Sequence, residues 1–588
     1  MANIRERRRN KSNGRISVDL EDNSASRGPA GSKSRLLYLA VGVLSAACIY
    51  FFSEYFKALL ESWLGIGEPR LHGVDPDAVA RITLDTEKRD AVVAAFKHAW
   101  HAYERDAMGD DEYHPISKTG TNLSSAGGIG YTVTDALDTM MIMGLNEEVT
   151  RSREWVQTKL TFDRPGEFNT FETTIRVLGG LLAAYHLSGN DVLYLEKAVD
   201  LAERMFPAFN TTSGLPLSSV NLAEREGVPD RNSNGWVSTA EVATLQLEWR
   251  YLSELTEDEK YWRAVEKVMN VINGNNVSPR LVTIYMDPET GRFIPSDIRL
   301  GSRGDSFYEY LLKQYLQTSR TEDVYKVMYE ETMDAVNKHL VQKSTTSNLI
   351  YTAELIPERH PGGEVSWRLV PKQDHLVCFL GGSLMLGATT AGALVAGVSI
   401  PPRPEQLTPD ARRDWRVGVE LIRTCMETHK TATGLSPEIA HFRTPKDGMD
   451  AYAVGSLPQD WYIKGAKPGQ PYAPLDARYI LRPETVESLF LAYRLTGDNK
   501  YRQWGWQIFQ SIEKHCKIES GGYASVLNVD EVPVRHEDKM ETFMLSETLK
   551  YLYLLFSDTE TIPLSKYVFN TEAHPLPIFK PSFRTGFP

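Results

Sequence analysis

Four stretches of this chain repeat one plan. LLAAYHLSGNDVLYLEKAV (181–199), LEWRYLSELTEDEKYWRAV (247–265), LLKQYLQTSRTEDVYKVMY (311–329) and LFLAYRLTGDNKYRQWGWQ (489–507) each pass from an apolar helix end, through a polar turn, to an aromatic residue that opens a second helix. Self-similarity of this kind marks stacked helix pairs. The first three turns recur at intervals of about 65 residues, enough for a helical hairpin and its loop. Seven candidate first helices begin near Tyr131, Phe171, Thr239, Asp305, His375, Pro483 and Glu541. Short links between helices make antiparallel neighbours. The pattern therefore predicts an all-α chain, either an α/α ring of seven helix pairs with every first helix inside it or an open solenoid; periodicity alone leaves both standing.

Acidic residues recur at the starts of these first helices: Asp135 and Asp138, Glu172, Glu241, Asp305 and Glu309, Asp374, Glu484 and Glu487, Glu541 and Glu547. Pro483 suits the first turn of a helix, and a helix starting there puts Glu484 and Glu487 on one face. Arg176, Arg303 and Arg482 lie close by in sequence. Each helix alone would explain one or two such acids through its dipole, and an ion-pair network would explain others. A ring would gather them all at one end of a central cavity. That arrangement suits a polar binding site or a metal, and carboxylate pairs across a cavity are the equipment of glycoside hydrolysis. Other chemistries lack their signatures: there is no Walker loop, no GxGxxG opening a βαβ unit, no HExxH and no GxSxG. His375 reads as a polar histidine of the core or the cavity wall.

The rest of the chain frames this region. Residues 1–35 are basic and polar and read as a disordered cytosolic tail. Residues 36–52, LLYLAVGVLSAACIYFF, hold 17 uncharged residues, at the short end of what crosses a bilayer. With the positive charge on their N-terminal side they read as an uncleaved signal anchor of a type II membrane protein. Residues 53–88 read as a lumenal stem and 89–588 as the helical domain. Three sequons, at Asn122, Asn210 and Asn276, are candidate glycosylation sites consistent with a lumenal domain. A net charge of −12 without long acidic runs argues against a nucleic-acid partner.

Read together, GIGYTVTDALDTMMIMGL (128–145), FETTIRVLGGLLAAY (171–185), GDSFYEYLLKQ (304–314), DHLVCFLGG (374–382), LRPETVESLF (481–490) and METFMLSETLKYLYLLFSD with YVFNTEAHPLPI (540–578) resemble class I α-1,2-mannosidases, glycoside hydrolase family 47. The resemblance implies an (α/α)7 barrel behind one transmembrane helix. It also implies an inverting, Ca²⁺-dependent enzyme that trims α-1,2-linked mannose from high-mannose N-glycans in glycoprotein processing and quality control. Glu172 then matches the general acid, acting through a water, Asp305 the second essential acid and Glu484 the general base, with Glu172 and Asp305 open to exchange. Arg176, Arg303, Glu309, Arg482, Phe543 and Glu547 match positions that contact or support the sugar. Thr571 matches the calcium residue, with waters held by Glu241, Glu487, Glu541 or Glu547. Cys378 and Cys425 match the family's disulfide, while Cys48 and Cys516 stay free. Arg303 points to the endoplasmic-reticulum subgroup, which takes a nine-mannose glycan to eight. The alternatives are a Golgi-type enzyme that removes several mannoses and a degradation-enhancing, mannosidase-like glycan-binding protein. The expected protein is a monomer in the endoplasmic reticulum membrane, with the Golgi as the other residence.

Overall fold

The computed structural model describes residues 82–275, 280–444, 460–465 and 473–587. The tail and the apolar segment 36–52, nearly all of the stem, and the sequon at Asn276 lie outside them. Among the described residues no helix is long and apolar enough to cross a membrane.

Among the described residues fourteen helices carry the architecture. They are α1 (Thr86–Ala107), α2 (Tyr131–Ile142), α3 (Asn146–Thr158), α4 (Thr170–Glu172, a π-helical stretch Thr173–Leu178, then Gly179–Leu187) and α5 (Val192–Met205). Next come α6, in two pieces (Thr239–Val242 and Gln246–Thr256), α7 (Glu259–Gly274), α8 (Asp305–Gln317) and α9 (Asp323–His339). The last five are α10 (a 3₁₀ turn His375–Cys378 running into Phe379–Thr390), α11 (Pro409–Thr428), α12 (Glu484–Thr496), α13 (Asn499–His515) and α14 (π-helical Met544–Thr548, then Leu549–Phe556). Six pairs are sequential hairpins, α2 with α3 through α12 with α13. The seventh joins the two ends of the domain, since α14 packs on α1. The amide of Asp85 donates to the carbonyl of Phe556 (2.9 Å). The inner helices contact one another in turn, α2–α4–α6–α8–α10–α12–α14, and the start of α14 returns to α2. This closure settles the choice between ring and solenoid.

The turn chemistry explains the repeat. A residue in the left-handed region ends several inner helices (Asn190, Glu257 and Gly497), and an Asp side chain then caps the outer one. Asp191, Asp258 and Asp498 accept hydrogen bonds from the amides of Leu193, Lys260 and Lys500. Such caps satisfy amides that the helix itself cannot. The inner helices are buried all round: every residue of α8 from Ser306 to Gln317 is buried. A helix without an exposed face belongs in the middle of a fold. Spacing is tight where α4 passes α2, because a Cβ on Gly180 would lie 2.3 Å from the carbonyl oxygen of Thr134.

Among the described residues eight antiparallel sheets of two or three strands decorate the helical ring. Two expectations need correction. Pro483 is the N-cap of α12, not part of its first turn. The first helix begins at Thr86, ahead of the expected stem boundary, because Asp85 caps it through the amide of Lys88. One of the sheets matters for the site. The hairpin Tyr567–Phe569 with Pro575–Pro577 (Val568 opposite Leu576) enters the ring, and its turn, residues 570–574, lies among the inner helices. Asn570 there donates to the carbonyl of Ile175 on α4 (2.9 Å) and to Glu248 on α6 (2.7 Å). Lys313 on α8 donates to the carbonyl of Asn570 (3.2 Å).

Candidate active site

Where the inner helices start, they surround a cavity of about 300 Å³ whose lining includes Thr571 and Glu572 of the hairpin turn. The expected acids Glu172, Asp305 and Glu484 all line it, as do Arg176, Arg303, Glu309, Arg482, Phe543, Glu547, Glu241, Glu487 and Thr571. Glu541 does not: it precedes the first turn of α14 and pairs with Lys539 (3.2 Å). Asp374 is also absent from the lining, since it sits on a strand and pairs with Lys372 (3.0 Å).

Local structure aims these side chains. Glu172 ends the first turn of α4, with Asn169 accepting from its amide (2.8 Å). The π-helical stretches of α4 and α14 contain Arg176 and Glu547, and π-bulges of this kind often occur at functional sites. Arg303 holds a positive φ of 72°, immediately ahead of α8. A non-glycine residue in that region carries strain that other contacts must offset. Its guanidinium lies 3.4 Å from Glu241 and 5.3 Å from the ring centroid of Tyr285.

The electrostatics differ from acid to acid. Glu172 accepts from Arg176 Nε (2.9 Å) and from the hydroxyl of Tyr131 (3.3 Å). Asp305 accepts from the amide of Ser306 (2.9 Å), yet burial, reinforced by Glu309 and Glu484, lifts its pKa to about 7. Burial likewise lifts Glu484 to about 7, although Arg482 stands 3.6 Å away and opposes the shift. Glu484 Oε2 has no hydrogen-bond partner among the described residues. Arg482 is gripped by both carboxylate oxygens of Glu438 (Nε to 2.8 and 3.0 Å). Phe543 lies between two guanidinium groups, those of Arg176 (5.7 Å) and Arg482 (5.9 Å), where cation–π attraction fixes its ring.

Deeper in, the acids crowd. Thr571 donates its hydroxyl to Glu309 (2.7 Å), and Glu309 pairs with Lys313. Lys313 is also 4.0 Å from Glu487. Burial raises the pKa of Glu487, Glu547 and Glu572, and repulsion from neighbouring carboxylates adds to each shift. Glu572 pairs with Arg176 and accepts from Ser546 (3.0 Å). Among the described residues no three His, Cys, Asp or Glu side chains converge as a direct ligand set. The donors around Thr571 are all oxygen, which suits a hard cation held partly through water.

Besides Glu541 and Asp374, the helix-start criterion misplaces two more acids, and it misses one that lines the cavity. Asp135 and Asp138 are fully buried beside the cavity rather than on its wall. Asp138 pairs with Lys550 (2.7 Å) and His574 (3.1 Å), and Asp135 with His574 (3.1 Å) and Arg176 (3.5 Å). Burial alone would lower the pKa of His574, but these two carboxylates raise it. Glu572 lies on the hairpin turn rather than at a helix start, so that criterion passes it over. Its only sequence signal is adjacency to Thr571. His375 is buried in the core, one of the two expected places, and is not part of the cavity lining. Cys378 and Cys425 are joined, and Cys516 is free and buried. Of the described sequons, Asn210 and Asn122 are both exposed, and the Asn122 side chain is also engaged with Asp110 (3.0 Å) and the amide of Asp111 (3.1 Å).

Comparison with known proteins places the chain among relatives of one family. A profile of glycosyl hydrolase family 47 matches residues 95–578. A mannosyl-oligosaccharide 1,2-alpha-mannosidase of Candida albicans is 45% identical, over 85% of each chain. An endoplasmic reticulum mannosyl-oligosaccharide 1,2-alpha-mannosidase of Schizosaccharomyces pombe is 42% identical, over 85% of this chain and 92% of its own. Among solved structures, an alpha-1,2-mannosidase from Trichoderma reesei superposes with a TM-score of 0.70 at 29% identity, covering 84% of this chain and all of its own.

Proposed function

The chain belongs to glycosyl hydrolase family 47, and on that premise we propose that it hydrolyses terminal α-1,2-linked mannose from high-mannose N-glycans. Its reaction inverts the anomeric centre and takes the nine-mannose glycan to eight. The observation that carries this reading is that Glu172, Asp305 and Glu484 open onto one cavity whose far side holds the hairpin turn. A pocket closed at one end admits a chain terminus and not a chain interior, as removal of single terminal sugars requires.

Inversion needs a base that activates water on one face of the sugar and an acid on the other. Glu484 suits the base: one oxygen is unpartnered, and a pKa of about 7 leaves it partly ionised at neutral pH and still basic enough to take a proton. Glu172, bound by Arg176 and Tyr131, is held in one orientation to pass a proton through water to the leaving oxygen. Asp305, near pKa 7, is the second acid at the reacting centre. Phe543 offers an immobilised ring face, and Arg303 stands beside the cavity to meet the glycan branches.

The oxygen-rich set at the hairpin turn fits calcium. Thr571 would hold the ion through its hydroxyl and carbonyl, with waters on Glu241, Glu309, Glu487, Glu547 or Glu572, a set that gains Glu309 and Glu572 and loses Glu541. When bound, the ion would supply positive charge that offsets the crowded carboxylates and orders sugar hydroxyls. The basic tail before the apolar segment 36–52, together with relatives named as endoplasmic reticulum enzymes, supports a single-pass anchor there with the barrel in the lumen.

The test is incubation of the full-length protein in detergent with a nine-mannose glycan, with and without a calcium chelator, reading products by mass and by branch. Loss of one mannose, stopped by chelation, is the expected result. Loss of three or four mannoses would overturn the assignment of Arg303. Binding without trimming would overturn the catalytic roles.

A further inference from the structure

A second hairpin stands at the rim of the cavity. Its strands are Glu354–Arg359 and Val365–Val370, with Leu355 opposite Leu369, Pro357 opposite Trp367 and Arg359 opposite Val365. Both of its ends are tied to the cavity wall. Leu355 exchanges two backbone hydrogen bonds with Ile298 (2.9 Å each), in the segment that leads to Arg303 of the lining. Beyond Val370 the chain runs into α10, whose Leu376 and Phe379 also line the cavity.

Successive side chains of a strand take opposite faces. Leu355, Pro357, Val365, Trp367 and Leu369 therefore share one face, while Glu358 and Arg368 pair on the other (2.8 Å). Val365, Trp367 and Leu369 are 38%, 39% and 37% exposed, an apolar stripe of the kind that marks an interaction surface. The backbone points the same way. The amide and carbonyl of Leu355 go to Ile298 and so turn away from the strand opposite. In an antiparallel ladder such outward groups recur at every second pair. Val365, Trp367 and Leu369 thus turn theirs to the outer edge, where no partner meets them among the described residues. Natural edge strands are blunted by proline, lysine or a covering element. This one, VSWRLV, has no proline or lysine, and Glu358 engages its one charge.

We propose that this edge binds an extended apolar segment of the polypeptide that carries the glycan, as a third strand. The inference rests on the substrate being an N-glycan attached to protein, and adds to it a preference for unfolded chains. A terminal mannose enters the cavity with its polypeptide left outside, on the side where the rim hairpin stands. The edge itself defines the occupant. Its outward amides and carbonyls call for backbone partners, which an extended chain supplies and lipid tails do not. Its stripe calls for apolar side chains at alternate positions. A sugar would stack on Trp367 but would set hydroxyls against Val365, Leu369 and Pro357, where nothing pairs with them. A second copy would bring together two chains of net charge −12, which repel.

The test uses full-length protein in nanodiscs of neutral lipid and three substrates. These are the free nine-mannose glycan, a folded disulfide-bonded glycoprotein that carries it, and that glycoprotein unfolded by reduction and carboxymethylation. Wild type should show a kcat/KM about tenfold higher on the unfolded glycoprotein than on the other two, the scale of one interface anchor. Trp367→Lys puts a charge into the stripe. Trp367→Pro removes an outward amide at a position whose opposite, Pro357, already lacks one. Each should abolish the gain and turn over the free glycan as wild type does. Equal wild-type kcat/KM on all three substrates would overturn the proposal. So would an equal loss on the free glycan, which would assign the face to the sugar. A smaller assembly for Trp367→Lys than for wild type by sedimentation would assign the edge to a second copy and overturn it too. If no substrate is trimmed, the catalytic reading fails separately, and calorimetry with the unfolded polypeptide stripped of its glycan decides. Binding to wild type and not to Trp367→Lys would carry the proposal, and no binding to wild type would overturn it.

Discussion

Replacing Glu248 by Gln should make the protein more stable above neutral pH and leave it unchanged in acid. Glu248 sits on α6 with no exposed surface. One carboxylate oxygen accepts from Asn570 (2.7 Å) and Tyr310 (2.8 Å), and the other has no partner among the described residues. Burial outweighs those two bonds and lifts its pKa from 4.5 to about 7. The sign follows from linkage. Below pH 4.5 the group is protonated in both folded and unfolded chains and costs nothing. As pH rises toward 7 the unfolded chain releases its proton first, so the wild type loses stability over that interval and holds the deficit above it. The displacement corresponds to about 3 kcal/mol. For a folded body of about 500 residues, with an unfolding entropy near 1 kcal/mol/K, that is about 3 °C in Tm. Gln keeps the accepting oxygen and removes the ionisation, and the other raised carboxylates cancel in the comparison. Differential scanning calorimetry of both proteins at fixed calcium, from pH 4.5 to 8, should give curves that coincide at the acid end and separate steadily to about 3 °C. Parallel curves would refute the claim that ionisation of Glu248 is what burial penalises.

The other predictions concern the site and its frame. Glu484→Gln should abolish turnover while a non-hydrolysable mannose disaccharide still binds by calorimetry; activity within tenfold of wild type would remove Glu484 as the base. Phe543→Ala should raise KM more than it lowers kcat in steady-state assays, because it frees the Arg176 and Arg482 guanidinium groups from the ring between them. Removing both Cys378 and Cys425, which lie 47 residues apart, should cost about 4 kcal/mol by loop entropy and lower Tm by about 4 °C with unchanged kcat.

How much of this was legible in the sequence depended on where the signal is carried. The helix pairs were readable because their turns need special residues: a left-handed position at Asn190, Glu257 or Gly497, then an Asp cap. Those needs survive as letters. Glu172, Asp305 and Glu484 were readable for a related reason, since each opens an inner helix and a ring must bring such starts together. The same rule swept in Asp135 and Asp138, although they lie beyond the first turn of α2. What separates them from the cavity is Lys550 and His574, more than 400 positions away, and nothing in the periodicity of α2 announces those partners. Glu572 was invisible for the opposite reason. It arrives on a hairpin inserted along the ring axis, and helical spacing has no term for an element that is not a helix.

That hairpin also explains how the fold carries so much like charge. Eight carboxylates and three arginines line the cavity, an imbalance that bare Coulomb repulsion would not allow at such burial. Three features reduce it. Lys313 places its ammonium between Glu309, Glu487 and the carbonyl of Asn570. Arg176 is shared among Glu172, Glu572 and Asp135. Burial then keeps several of the remaining acids partly protonated near neutrality, lifting Asp305, Glu484 and Glu241 to about 7. A carboxyl held near pKa 7 can give or take a proton at the pH where the protein works, which an exposed one near 4.5 cannot do efficiently. The crowding that makes the cavity costly to fold is thus the same crowding that tunes its acids, and the hairpin turn, by closing the ring from one end, sustains both.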